Sequence, residues 1–206
     1  MAPYQVIITQ SRVTIKLPVP EVPRGKGVHA SGIIRNIAIE MGILKGNHAE
    51  EVNLADIRII DDELAILRMS IGLAWEEHYI GKVLPEYGVV KHPGQMCVDG
   101  VFMTPDGESV DNWHGKSHVL VIHEVKATYK STNTVGNLDK EWMWLTQLKC
   151  YCKGAKTRYG KLHVLFLCGD YKFPIRPIAK VWDIEFTKKE IDDNWSLMTD
   201  YRDMRS

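Results

Sequence analysis

An α/β fold is predicted by the order of three kinds of signal along these 206 residues. Leu64, Leu67, Ile71 and Trp75 recur at helical spacing; apolar runs of strand length follow, the clearest being Val119 to Val125; a second helical stretch then precedes two more strand-length runs. Helix, strands, helix, strand is the alternation of a sheet covered by helices.

Taken in order, Tyr4 to Leu17 alternates loosely and predicts a strand pair or an arm added to a sheet edge. Pro18, Pro20 and Pro23 with Gly25 and Gly27 make a loop, after which Ser31 is placed to cap a helix from Gly32 to about Leu44. Asp61, Asp62 and Glu63 open a core-facing helix that runs to about Leu84, and Gly72, Glu76 and Glu77 lie on it. Val89 to Lys91 reads as a short strand, His92-Pro93-Gly94 as a turn, and Gln95 to Met103 as a strand carrying Asp99. Pro105-Asp106-Gly107 is turn chemistry, and Glu108 to Ser117 reads as a polar connection to the next strand. Thr128 to Leu138 is polar loop, and Asp139 to Lys153 is a helix stopped by Gly154. Lys161 to Cys168 and Ala179 to Phe186 are strands, and Thr187-Lys188-Lys189-Glu190 is a capping box opening a last helix. That final segment mixes charge with Trp195, Leu197, Met198 and Tyr201, and docks on the core or on another subunit.

No composition break or low-complexity linker divides the chain, so one domain over 1–206 is expected, with an arm at 1–28, a core at about 30–186 and a helix at about 187–206. The N-terminus has no signal-peptide pattern, and no apolar run approaches the roughly 20 residues that span a bilayer. A cytoplasmic protein without membrane contact is the expectation. Cys97, Cys150, Cys152 and Cys168 then read as reduced thiols. Formal charge sums to zero, yet from Lys126 to Lys161 eight basic residues face only Asp139 and Glu141. Such a segment either tracks a phosphate backbone or is a solvated face. Lys130, Lys149 and Lys153 are its candidate nucleic-acid contacts, joined by Ser31 and Arg35 near a helix start where a phosphate can be held.

The chemistry centres on Val98-Asp99-Gly100 and on His123-Glu124-Val125-Lys126. Side chains alternate along a strand, so Glu124 and Lys126 share one face while His123 and Val125 share the other. A carboxylate and an ammonium ending an apolar run are costly on a dry face unless paired or bound to a metal. Asp99 can come from the adjacent antiparallel strand. On the following helix Gln147 and Tyr151 are four apart and share a face. The histidines show no ligand spacing.

Gly72-x-x-x-Glu76, Asp99, Glu124-Val125-Lys126 and Gln147-x-x-x-Tyr151, in that order, resemble the motifs of the PD-(D/E)XK nuclease superfamily. The glutamine–tyrosine pair is similar to that of its RecB-like and lambda-exonuclease-like, phage-type branch. The resemblance covers about residues 30 to 170. It implies a restriction-endonuclease-like core, a central mixed β-sheet flanked by helices. It implies a metal-dependent DNA nuclease, an exonuclease on DNA ends in recombination, repair or phage DNA metabolism; an endonuclease on the same fold and a non-catalytic nucleic-acid-binding scaffold are the alternatives. By the same resemblance Glu76, Asp99, Glu124 and the Val125 carbonyl would hold Mg2+ or Mn2+, as two ions. Lys126 would orient water or hold the scissile phosphate, with Gln147 and Tyr151 beside it. Many RecB-like members carry His where this chain has Glu76, and Glu77 leaves the assignment open by one residue. The cysteine spacing departs from that of iron–sulfur relatives, so no cluster is expected. DNA is the implied partner, with a homo-oligomeric ring, a strand-annealing protein or a helicase as possible company.

Overall fold

A computed structural model describes residues 27–44 and 63–205. The expected strand pair or arm of Tyr4 to Leu17 lies outside the described residues. The elements are β1 (Val28–His29), α1 (Ala30–Glu40), α2 (Glu63–His78), β2 (Val90–Lys91), β3 (Met96–Val98), β4 (Val101–Met103), β5 (Gly107–Trp113), β6 (Lys116–Thr128), α3 (Trp142–Gly154), β7 (Tyr159–Phe166), β8 (Ile178–Glu185) and α4 (Lys188–Met204). After α2 the chain tightens through a π turn at Tyr79–Val83 and a 3-10 turn at Leu84–Tyr87.

A five-stranded mixed sheet has the order β2-β5-β6-β7-β8, in which only β6 and β7 are parallel. Parallel neighbours need a crossover, and α3 supplies it. The face of β6 that carries Ile122 packs, with Leu162, Val164 and Phe166 of β7, against Ile33 and Ile34 of α1, Leu148 of α3 and Trp195 and Met198 of α4. The opposite face carries Val125, which packs with Ile80, Leu84 and Val89 beneath α2 and its following turns. A second sheet, β1-β4-β3, joins the first core through α1 and α3. The last segment docks on this core: Ile191, Trp195, Met198 and Tyr201 of α4 are buried, and the Thr187–Glu190 capping box is formed. Among the described residues no helix is long and apolar enough to cross a membrane.

Three expectations are corrected. α1 starts at Ala30 with His29 at its N-cap, so Ser31 is inside the first turn and does not cap it. Gln95 to Met103 is not one strand. Asp99-Gly100 is a two-residue turn with φ of 49° and 78°, folding β3 back on β4 with Val98 opposite Val101. Asp-Gly between apolar residues is the pattern of a type I′ hairpin, because both central residues take positive φ. Lastly, Glu108 to Ser117 is no loop: it contains β5 and the turn at His114-Gly115, again at positive φ. Its polar residues hid a strand with one face in the core.

His123 and His163 stack beneath the sheet at 5.1 Å between ring centres. Ser109 Oγ lies 2.8 Å from His123 Nε2, His123 Nδ1 lies 2.9 Å from His163 Nε2, and His163 Nδ1 lies 3.2 Å from the Tyr79 hydroxyl. This chain of hydrogen bonds ties the turn after α2 to β7, β6 and β5. Burial lowers both imidazoles, His123 to about 4 and His163 to about 3, so both are neutral in the fold. An unfolded histidine takes up its proton near 6.5. The depressed groups therefore contribute stability above that pH and lose it as pH falls from 6.5 toward 4, where only the unfolded chain gains protons. Replacing one of them, His163→Gln, removes one such group, so the stability advantage of wild type over the variant should shrink between pH 7 and pH 5, by at most about 1.4 kcal/mol per pH unit. Urea unfolding of both proteins at each pH measures this; a difference independent of pH would contradict the buried neutral histidine.

Candidate active site

The site forms where β5 begins. Gly107 pairs with His123 and Glu108 with Ile122, so one more step of the same register puts Asp106 opposite Glu124. Directly opposed residues on adjacent strands have side chains on the same face, about 5 Å apart at Cβ. Gly107 makes this approach possible: a Cβ there would lie 2.8 Å from Val89 Cγ1 and 3.3 Å from the Val90 carbonyl oxygen. Asp106 is held from both sides, its Oδ2 accepting the Val125 N–H at 2.8 Å and its carbonyl accepting the His92 N–H at 3.0 Å.

Glu124 is fully buried. Its Oε1 forms a close ion pair with Lys126 Nζ, but among the described residues neither Glu124 oxygen has a well-aligned hydrogen-bond donor. Lys126 Nζ also donates to Gln147 Oε1 at 3.1 Å, and Gln147 Nε2 donates to the Tyr151 hydroxyl at 2.7 Å. The four-residue spacing on α3 thus delivers a neutral amide and phenol to the strand pair.

Electrostatics agree with the geometry. Burial, then repulsion by Asp106, raises the Glu124 carboxyl well above the usual glutamate range, with Lys126 opposing. Burial also raises Asp106, against the attraction of Lys126 and the Val125 N–H. Burial disfavours the Lys126 ammonium, but Glu124 and Asp106 outweigh it and raise its pKa. Tyr151 is raised by burial and by the same two carboxylates. Two acids that cannot both ionise cheaply beside one ammonium form a place where a cation is welcome. The carboxylates of buried Glu124 and of Asp106, an oxygen-only donor set, fit a hard divalent ion such as Mg2+ or Mn2+. Among the described residues no three His, Cys, Asp or Glu side chains converge into a closed cluster.

The predicted residues are distributed unequally. Glu124, Lys126, Gln147 and Tyr151 come together. Glu76 stands at the margin of the group: it contributes to the field on Lys126, and its Oε1 is 3.9 Å from His92 Nε2. Glu77 is exposed, which favours Glu76 as the helix acid. Asp99 is not part of the site. It sits in the β3–β4 turn, where its Oδ2 accepts the Trp195 indole N–H at 2.8 Å and its carbonyl accepts from Arg202, both on α4. The acid opposite Glu124 is Asp106, in a Pro-Asp-Gly turn immediately preceding the strand that pairs with β6.

The basic segment is also less free than its composition suggested. Lys130 donates to both oxygens of Glu141 at 2.7 and 2.6 Å, Lys153 to Asp192 at 2.8 Å, and Lys149 lies over the Phe186 ring. Ser31 and Arg35 lie half-buried on the first turns of α1.

No family model matches the sequence, and no curated protein matches it. Solved structures do. A phage-related exonuclease from Haemophilus somnus 129PT superposes with a TM-score of 0.51 at 12% identity, over 86% of this chain and 94% of that one. The chain has the fold of the phage-type exonucleases. An alkaline exonuclease from Laribacter hongkongensis, also solved in complex with dAMP, gives a TM-score of 0.48 at 11% identity, over 87% of this chain and 88% of that one.

Two stability measurements separate the acids. With its folded pKa raised, Glu124 favours the fold below the ordinary glutamate value, and that benefit is lost as pH rises through the raised value. Relative to wild type, Glu124→Gln should therefore gain stability as pH rises from about 4 to about 8. A difference that does not change with pH would contradict the opposed-carboxylate reading. Asp99→Ala leaves the Trp195 N–H without its acceptor and should cost about 1–2 kcal/mol at either pH.

Proposed function

We propose that this protein is a Mg2+- or Mn2+-dependent deoxyribonuclease acting on DNA ends. The observation that carries the reading is the pairing of Asp106 with Glu124 across the start of β5, with Lys126, Gln147 and Tyr151 on the same side. The exonuclease fold supports it, as does the name of the Haemophilus protein that shares that fold.

In this reading Asp106 and Glu124 hold the metal. The Val125 carbonyl lies toward the same edge, because N–H and C=O of one strand residue face the same neighbour and the Val125 N–H meets Asp106. Glu76 faces the site from α2. A hard divalent ion, when bound, lowers the pKa of a water and offsets charge on the phosphoryl group. The chain's own part is positioning. Lys126 is fixed between Glu124 and Gln147, where its ammonium can orient the attacking water or grip the scissile phosphate. Gln147 holds Lys126 by accepting through Oε1, and the Tyr151 hydroxyl, which accepts from Gln147 Nε2, has its own O–H to offer a phosphate without competing charge. Hydrolysis forms a bond from the water oxygen to phosphorus, breaks the bond to the leaving oxygen and passes the water proton to solvent or to the leaving group.

End-labelled linear duplex, linear single strands and a closed circle, each with Mg2+, Mn2+ or EDTA, test this. Metal-dependent loss of linear DNA and sparing of the circle are expected, with Glu124→Gln and Lys126→Ala each reducing the rate about 10²–10³-fold. Cutting of the circle would make the enzyme an endonuclease. Full activity in both variants would refute the site.

A further inference from the structure

A cleft of about 300 Å3 opens beyond Lys126, at the carboxyl ends of the parallel strands β6 and β7. Crevices at that end of a sheet are where α/β proteins take ligands. Ile71 of α2, Ala127 and Leu167 form an apolar floor; Arg68 of α2, Tyr129 and Lys130 form the rim, and among the described residues no carboxylate lines the cleft. Its volume is at the lower end for a small-molecule pocket and comparable with one nucleotide.

The rim is held in place by the backbone. Leu167 N–H donates to the Thr128 carbonyl at 2.9 Å, Lys130 N–H to Thr128 Oγ1 at 3.1 Å, and the Tyr171 hydroxyl to the Tyr129 carbonyl. Tyr129 keeps 37% of its surface exposed. The Arg68 guanidinium lies 5.9 Å from the centre of that ring, at the outer limit of a cation–π contact, and pairs with no carboxylate among the described residues. Lys130, by contrast, is neutralised by Glu141. An exposed aromatic face beside a guanidinium, on a fixed apolar floor, suits a base and its phosphate. Ala127 shares the α2 face of β6 with Val125, opposite the face of Lys126 and α3, so a polynucleotide bound at the active site reaches the cleft by passing the carboxyl ends of β6 and β7.

We propose that the Arg68–Tyr129 cleft is a second nucleotide subsite that grips a single DNA strand beyond the scissile phosphate, the base on Tyr129 and a phosphate on Arg68. This rests on the nuclease reading and deepens it: the subsite makes strand length a determinant of affinity. In DNA-bound complexes the guanidinium exchanges a weak ring contact for a phosphate.

The test uses the full chain carrying Glu124→Gln, kept in EDTA so that the strand stays intact, and fluorescence anisotropy with a labelled 12-nucleotide single strand, a labelled dinucleotide and a free deoxynucleoside monophosphate. Arg68→Gln and Tyr129→Leu should each weaken the 12-mer about tenfold and leave the dinucleotide unchanged. Arg68→Gln should also reduce the slope of log affinity against log salt by about 0.7. Circular dichroism melts of both variants matching the parent assign any loss to the cleft. Unchanged 12-mer binding, or equal losses for 12-mer and dinucleotide, would overturn the subsite while leaving the nuclease reading intact. Weakened mononucleotide binding would replace it with a site for free nucleotide. Absence of 12-mer binding together with absence of metal-dependent cleavage by the wild type would overturn both.

Discussion

The structure depends on holding two carboxylates face to face at the point where β5 and β6 begin to pair. Asp106 and Glu124 are brought together by strand register, and a one-residue slip would turn Glu124 to the opposite face. The register is set by the irregularity between Asp111 and Trp113, which shifts by one residue the pairing that leaves the His114-Gly115 turn, and by the alternation of Ser109 inward and Val110 outward on β5. Such an arrangement is expensive, since one fully buried carboxylate lies beside another in a largely apolar setting. The surrounding structure offsets part of that cost with the Lys126 ammonium on Glu124 and the Val125 N–H on Asp106, while Gln147 and Tyr151 steady Lys126. A fold selected for stability alone would have no reason to keep the two carboxylates.

Both faces of β6 serve this centre. On one, α3 delivers Gln147 and Tyr151, and its own position is set by α1 and α4 packing on Leu148, Trp195 and Met198. On the other, the hydrogen-bond chain from Ser109 through His123 and His163 to Tyr79 ties β5, β6 and β7 to the turn that follows α2. Glu76 precedes Tyr79 by three residues, so the same chain steadies the helix acid relative to Glu124. His123 and Glu124 are neighbours in sequence on opposite faces: one is a neutral imidazole in a hydrogen-bond chain, the other a buried carboxyl paired with Lys126.

Much of this was legible in the sequence, and the reasons are local. Alternation along 123–126 placed Glu124 with Lys126, helical spacing placed Gln147 with Tyr151, and the Thr187–Glu190 box opened α4. Asp99 misled because it precedes a strand-like run and is an acid. Its positive φ and its bond to Trp195 follow from the Asp-Gly hairpin, a signal that was present but masked by the apolar residues on either side. Asp106 was set aside as turn chemistry because β5, with Glu108, Asp111 and Asn112, is too polar to read as a strand. Only the register of a sheet shows that this turn residue faces Glu124. The basic surplus misled for a related reason: the acids that pair with Lys153, Arg158 and Lys161 come from elements remote in sequence, α4, β8 and β5.

The account stands or falls on Asp106 being the partner of Glu124 in holding a cation. Mn2+ titration followed by electron paramagnetic resonance, with wild type, Asp106→Asn and Asp99→Asn in parallel, addresses this without any assumption about substrate. The account predicts Mn2+ binding by wild type and by Asp99→Asn, and its loss in Asp106→Asn. Retained binding in Asp106→Asn with loss in Asp99→Asn would return the metal to the hairpin and contradict the site described above.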